Sequence, residues 1–401
     1  MTDSAVANAE GRPVSEFIPR LIDALLGVVP AGGVLHEPEF SDTERDYVAE
    51  CIETGWVSSV GKFVDRFEEM LCETTGAKSA VATVNGTAAL HTALHLAGVQ
   101  PGEEVLVPAF GFVATANAVS QCAALPHFVD VNERTLAVDP PALEKYLADV
   151  LDCQDGIAVN RETGRRIRAL VVAHILGHPA EMTALLDVAS QFGLTVVEDA
   201  AESLGGYRDG RHTGTFGLVG ALSFNGNKTI TTGGGGAVIT NDPEIGARAK
   251  HLTTTAKKPH AWEFDHDAIG FNYRMPNLNA ALGCAQLEKL SGFLARKRVL
   301  AERYQAALAS IGEVAFVAEP PGTVSSYWLN AILLDPAQEG LRDEIHRLCH
   351  ARGIMTRSAW KPLHSLQPYA HCPAMPAPVT ESLYRRLIKL PSSPHLADVA
   401  G

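Results

Sequence analysis

From residue 78 onward the chain alternates short apolar runs with amphipathic stretches. The runs are Ala80–Val84, Glu104–Pro108, Pro126–Val131, Ala169–Ile175, Leu194–Glu198, Ala221–Phe224 and Ala237–Thr240. Between several of them lie Thr87–Ala97, Val113–Gln121, Pro140–Leu147 and Ala180–Phe192, whose apolar residues recur at helical spacing. Apolar strands separated by helices predict crossover units and a mainly parallel sheet, buried because each crossover lays a helix on one of its faces. Seven such runs predict one large α/β domain.

The flanks follow other patterns. Ser41–Thr54 opens with Ser-Asp-Thr-Glu, so Ser41 can cap a helix and Glu44 can answer it three residues on. Lys62–Glu73 predicts a second helix with Phe63, Phe67 and Met70 on its apolar face. Pro276–Ala309 reads as one long helix leaving the large domain, since no proline follows its first position. Tyr327–Leu334, a helix over Leu341–Arg352 and the pattern from Gly353 onward predict a small α+β domain packed back on the first. Residues 1–15 are small and polar and read as a frayed tail. The expected organisation is an N-terminal extension over 1–33, a large α/β domain over 34–275, and a long helix with a small α+β domain over 276–401.

Composition acts mainly by exclusion. With 401 residues, 46% of them hydrophobic, the chain can bury a large core. A formal net charge of −13 argues against a broad nucleic-acid footprint, which needs a basic face to neutralise phosphates. The seven cysteines are odd in number and scattered, with no Cys-x-x-Cys pair, as expected of reduced thiols in a cytoplasmic protein. No basic segment followed by an apolar one opens the chain, and no apolar run approaches the ~18 residues that span a bilayer. Neither a signal peptide nor a membrane partner is expected.

In open α/β sheets ligands bind at the carboxyl ends of the strands, which singles out four places. Val84-Asn85-Gly86-Thr87-Ala88-Ala89-Leu90 puts a glycine and a threonine at the start of a helix, where free N–H groups suit a phosphate. The same residues also read as a plain turn with Thr87 as the cap. Leu194-Thr-Val-Val-Glu-Asp199-Ala-Ala-Glu202 closes an apolar strand with two acids. Such a carboxylate can keep a ring nitrogen protonated, or merely cap the next helix. In Ser223-Phe224-Asn225-Gly226-Asn227-Lys228, the lysine lies between a strand and a glycine-rich turn. Its amine can point into a cleft as an imine-forming nucleophile, although a lone lysine is usually a surface charge. Ser223 can bind an anion. Gly270-Phe-Asn272-Tyr-Arg274-Met275-Pro276-Asn277 is an irregular polar stretch that says little alone.

Two other patterns carry less. His91 and His95 lie four apart on one expected helix, but neither a Glu between them nor a third ligand stands out, so no metal is expected. Gly233–Gly236 lacks the spacing of a nucleotide loop and reads as a flexible or bulged strand entry.

Taken together, the four places resemble the DegT/DnrJ-type sugar aminotransferases, a branch of the fold-type-I pyridoxal-phosphate enzymes, over residues 34–393. The resemblance implies pyridoxal 5'-phosphate as cofactor, carried as a Schiff base on Lys228 of Ser-Phe-x-x-x-Lys. It assigns the phosphate to Ser223, Gly86 and Thr87, and the pyridine nitrogen to Asp199. Phe112, in Pro108-Ala-Phe-Gly-Phe112-Val-Ala-Thr, would stack on the ring face, though it reads equally as a core residue at a strand end. Glu202 stands where the family often has His or Gln near the ring hydroxyl; members acting on 4-keto-6-deoxy sugars can carry Glu there. Asn272 of Gly-x-Asn-x-Arg-Met would reach the phosphate in the neighbouring subunit, which implies a homodimer with shared sites.

The stretch from Thr54 to Asp65, with Asn272-Tyr-Arg-Met-Pro-Asn, looks most like the branch that aminates C4 of UDP-4-keto-6-deoxy-N-acetylglucosamine. Perosamine-type enzymes, which use a GDP-linked 4-keto sugar, share much of the pattern, and 3-keto-sugar amination is a further alternative. The implied reaction moves an amino group from L-glutamate to the nucleotide-linked keto-sugar, with Lys228 moving the proton. Trp56, Lys62, Arg274 and Arg357 are candidate sugar or diphosphate contacts, each readable also as a packing or surface residue. A related dehydratase would have a histidine in place of Lys228. A homologue that binds the cofactor without turnover, as a regulatory protein, is the alternative from another class.

Overall fold

The computed structural model describes residues 16–154 and 157–398. The tail read at 1–15 lies outside them. All seven expected strands form, their ends shifted by at most two residues: Ser79–Thr83 (β1), Glu104–Pro108 (β2), Leu125–Val129 (β3), Ile167–Ala173 (β4), Thr195–Asp199 (β5), Val219–Ser223 (β6) and Gly236–Thr240 (β7). They make one sheet in the order β1-β7-β6-β5-β4-β2-β3, with β7 alone antiparallel to its neighbours. The exception has a simple cause. Every other sequential connection carries a crossover helix or a long excursion, whereas β6 and β7 are joined by the short turn 224–235, which sends the chain straight back.

Helices cover both faces. Val105, Val107, Val171 and Val197 pack with Leu90 and Leu94 of α4 (Gly86–Leu96) and Val119 of α5 (Ala114–Gln121). The alternate side chains Leu106, Leu170 and Val172 point the other way, against Leu143 and Leu147 of α6 (Pro140–Val150) and Leu185 of α7 (Met182–Gln191). Ahead of the sheet come α1 (Phe17–Leu26), α2 (Asp42–Thr54) and α3 (Lys62–Thr75), and α8 (Pro243–Thr253) follows its last strand. The predicted capping box opens α2, with Ser41 and Glu44 in both its bonds. Phe63 and Phe67 of α3 are buried against Leu222 and Ile239, while Met70 is only half-buried.

The expected single helix over Pro276–Ala309 is two: α9 (Asn277–Leu287) and α10 (Leu290–Leu308). The break falls at Glu288–Lys289, where the Lys289 ammonium is drawn onto the buried carboxylate of Glu44 at 2.6 Å. Apolar spacing continues across the break, so periodicity alone reads one element. The halves have different partners. Ala280, Ala281 and Cys284 of α9 share a core with Phe67, as do Leu290 and Phe293, whereas Leu300, Tyr304 and Leu308 pack with Phe17, Leu21 and Leu25 of α1. The change of partner therefore comes inside α10, later than the boundary expected at 275/276, and α1 joins the C-terminal core.

That core covers a four-stranded antiparallel sheet of Val314–Phe316 (β8), Asn330–Leu334 (β9), Arg357–Ser358 (β10) and Leu387–Leu390 (β11), ordered β8-β9-β11-β10. The strand expected from Tyr327 starts only at Asn330, because Tyr327 sits at φ 44°, off the extended conformation. Arg342–Ala351 supplies the expected C-terminal helix. Among the described residues no helix is long and apolar enough to cross a membrane.

Candidate active site

The carboxyl ends of β1, β5 and β6 open onto a cavity of about 410 Å³. Gly86, Thr87, Phe112, Asp199, Glu202, Ser223 and Lys228 all line it, so seven of the expected site residues meet in one chain. At the end of β1 the cap of α4 is Asn85, not Thr87: its side chain accepts from the Ala88 N–H at 2.8 Å. That leaves the first N–H groups of the helix, at Gly86 and Thr87, available to an anion. Gly86 has to be glycine, since a Cβ there would meet the Ser223 Cβ at 2.7 Å. Gly236 is as constrained, with a Cβ falling 2.5 Å from the Asn85 backbone. The glycine run thus lets β7 pass directly over the Asn85–Gly86 turn, and the strand-entry reading of Gly233–Gly236 is the one that fits.

The two acids of β5 part company. Glu198 is fully buried and accepts from His174 at 3.0 Å and from the N–H groups of Gly214, Phe216 and Gly217 at 2.6–2.7 Å. Burial alone would raise its pKa, but those donors hold it below the ordinary range. Asp199 faces the cavity, with one oxygen on the Thr115 hydroxyl (2.7 Å) and the other on the Ala201 N–H (3.2 Å). Glu202 is buried too and accepts from the Leu176 N–H at 2.9 Å. Burial pushes its carboxyl up, against the pull of the Lys228 ammonium.

Lys228 reaches the cavity from the turn 224–235. Its Nζ lies 3.6 Å from Glu202 and 3.9 Å from the centroid of the Trp328 ring. The indole N–H of Trp328 in turn donates to the Asn227 carbonyl at 2.6 Å, tying the small-sheet segment to the lysine turn. The surface-charge reading of Lys228 is thereby set aside. Phe112 is 54% exposed at the mouth, whereas Phe110 is the buried phenylalanine of its segment, so the core reading of Phe112 fails.

Five expected residues stand apart from this cavity. Asn272 accepts from Arg274 at 3.0 Å, and the segment holding both runs beside Thr254 and Thr83. Trp56 and Lys62 line a separate cleft beside Asn277, with Lys62 paired to Glu50. Arg357 is exposed on β10. Among the lining residues that carried no expectation are Thr115, His174, Trp328, Trp360 and Lys389. Lys389 had a legible signal, a lysine within the otherwise apolar Leu387-Ile-Lys-Leu390. Finally, His91 and His95 have a third potential ligand after all. Cys122, at the end of α5, brings its sulfur within 4.8 Å of both imidazoles. The group lies under Phe271 and Tyr273, whose hydroxyl is 3.2 Å from His91 Nδ1. Burial pushes His91 down to about 4 and the Cys122 thiol up to about 12.

An amine, a carboxylate and the start of a helix thus meet around one cavity. The family model for DegT/DnrJ/EryC1/StrS aminotransferases matches residues 38–400. The chain belongs to that family. This aminotransferase is 38% identical to the GDP-perosamine synthase of Vibrio cholerae over 91% of its own length and 95% of the relative's. To the GDP-perosamine synthase of Escherichia coli O157:H7 it is 34% identical over 91% and 94%. DesV of S. venezuelae, solved in complex with a ketimine intermediate, superposes with a TM-score of 0.78 at 31% identity, over 88% of this chain and 90% of that one. The aminotransferase is a pyridoxal-phosphate enzyme of fold type I acting on sugars. The cradle fits that cofactor: with glycine at 86 and 236, the backbone approaches closely enough to leave N–H groups and the Ser223 hydroxyl around one anion.

Proposed function

We propose that this aminotransferase moves the amino group of L-glutamate to the C4 carbonyl of a GDP-linked 4-keto-6-deoxy sugar, as a homodimer with shared active sites. The UDP-linked N-acetyl sugar first expected from the Thr54–Asp65 pattern gives way to the GDP-linked alternative, because that pattern is common to both branches and the relatives reported above carry the perosamine name. The observation that carries the reaction type is the Lys228 ammonium, 3.6 Å from Glu202 in a cavity that also presents Asp199.

Each residue has a distinct task in this reading. When bound, pyridoxal phosphate supplies an electron sink for the charge that develops as a C–H bond at the reacting carbon breaks. Lys228 carries the cofactor between turnovers. Once freed, its amine takes the proton from the α-carbon of glutamate and, in the second half-reaction, delivers one to C4 of the sugar. Glu202 holds the ammonium in reach, and Trp328 shields one side of it. Asp199, oriented by Thr115, keeps the ring nitrogen protonated. Gly86, Thr87 and Ser223 bind the phosphate, and Phe112 closes over the ring face. Asn272 of the partner subunit completes the phosphate site, which accounts for its lying outside the cavity of its own chain. Trp56, Lys62 and Arg274 likewise serve the neighbouring site.

The test is a panel of GDP-, UDP- and dTDP-linked 4-keto-6-deoxy sugars with L-glutamate, read by product mass. The GDP sugar is expected to be aminated with the highest kcat/KM. Preference for a UDP sugar would restore the first reading, and amination of 3-keto sugars alone would remove the C4 assignment.

A further inference from the structure

Two ammonium groups line the active-site cavity, and the reaction accounts for one. Lys228 faces Glu202; Lys389, from β11, does not have such a partner. It is 6% exposed, its Nζ lies 3.9 Å from the centroid of the Trp360 ring, and no carboxylate of the described residues comes within 4.0 Å of it. Burying a charge with no ion pair of its own is costly, and Glu202, which pairs with Lys228, offsets the cost only in part, so an anion in the cavity would supply the rest. Its surroundings compound the cost. Arg357 of β10 stands directly opposite Lys389 across the antiparallel pair, on the same face of the sheet. Like charges directly opposite one another destabilise a strand pair. The Arg357 guanidinium has one hydrogen bond in the structure, to its neighbour's carbonyl at Thr356 (3.0 Å). An anion placed between the two side chains would neutralise both.

We propose that Lys389, with Arg357 opposite it, forms an anion subsite that takes the α-carboxylate of the amino donor. This rests on the aminotransferase reading above. The geometry favours a donor carboxylate over the other anion at hand, the diphosphate of the nucleotide sugar. In an amino acid the α-carboxylate is bonded to the carbon whose proton Lys228 takes, so it must fall on a cation near Lys228. In the nucleotide sugar the diphosphate is separated from C4 by the sugar ring. Lys389 is close enough to Lys228 and Glu202 to feel both charges. Burial lowers its pKa to about 8, and a bound carboxylate would raise it again. The subsite comes from the small sheet and Lys228 from the turn between β6 and β7 of the large one, so a donor held by its α-carboxylate beside Lys228 bridges the two.

The experiment compares the holoenzyme with Lys389→Met, which keeps an apolar stem on Trp360, and with the surface variant Arg357→Gln. Calorimetric titration with succinate, a dicarboxylate without an amine, reads the subsite independently of turnover. Its Kd is expected to weaken about 10- to 100-fold in Lys389→Met, the range for losing a hydrogen bond to a charged group, and less in Arg357→Gln. In steady state the KM for L-glutamate should rise while that for the nucleotide sugar stays put. Unchanged succinate binding in Lys389→Met, with the cofactor absorbance of the wild type, overturns the proposal. So does a rise confined to the nucleotide-sugar KM, which would give the subsite to the diphosphate. Succinate binding that depends on Lys389 in a protein without transaminase turnover would instead sink the functional reading and leave the subsite standing.

Discussion

Glu198 and Asp199 are neighbours on β5, so their side chains leave opposite faces of the strand. One is tied into the loop at 214–217 and the other faces the cavity with Thr115 on one oxygen. A carboxylate at 199 matters for its charge more than its shape. Asp199→Asn should therefore fold normally but lose roughly 10²–10³ in kcat, the scale of removing one electrostatic group at a reacting centre. Wild-type turnover in that variant would take Asp199 out of the mechanism. These two acids, like Lys228 and the Gly86 turn, are legible in the sequence because each sits within a few residues of a strand end. Trp328, Trp360 and Lys389 come from the far end of the chain, and although the lysine stands out within Leu387-Ile-Lys-Leu390, no local pattern ties any of the three to this cavity.

The excursion between β5 and β6 ties down Glu198 next to Asp199, and it holds a buried imidazole, His212. His212 accepts the Gly205 N–H on Nε2 at 2.8 Å, so its proton must sit on Nδ1, facing the Thr213 carbonyl. Burial lowers its pKa to about 4. The unfolded chain, with an ordinary histidine near 6.5, binds a proton that the folded one refuses between those values. The contribution of His212 is thus present above pH 6.5 and is lost as pH falls toward 4. Chemical denaturation at a series of pH values should show the midpoint dropping over that window, with a shallower drop in His212→Gln. A pH-independent midpoint from 6.5 to 4 would mean that His212 titrates normally in the fold. At this scale the strands are the most legible elements, because buried parallel strands are continuous apolar runs. The split of α9 from α10 is not, since the break falls where Lys289 pairs with Glu44, 245 residues away in the chain.

For the molecule as a whole, the positions of Asn272, Trp56 and Lys62 make the dimer testable. If each site takes Lys228 from one chain and Asn272 from the other, a mixture of Lys228→Ala and Asn272→Ala proteins, unfolded and refolded together, regains activity. Each mixed dimer then holds one site with both residues intact. Two inactive parents that stay inactive when mixed would confine each site to one chain. None of this assembly is legible from periodicity, which reports what a residue buries in its own fold and not what it offers a neighbour. The central claim, that the cavity is built around Lys228 as the cofactor's anchor, has a direct test. The purified holoenzyme is reduced with borohydride, digested, and its peptides are weighed. The cofactor's mass is expected on the peptide containing Lys228 and nowhere else. Finding it on Lys389, the other ammonium in the cavity, or on no lysine at all, would contradict the account.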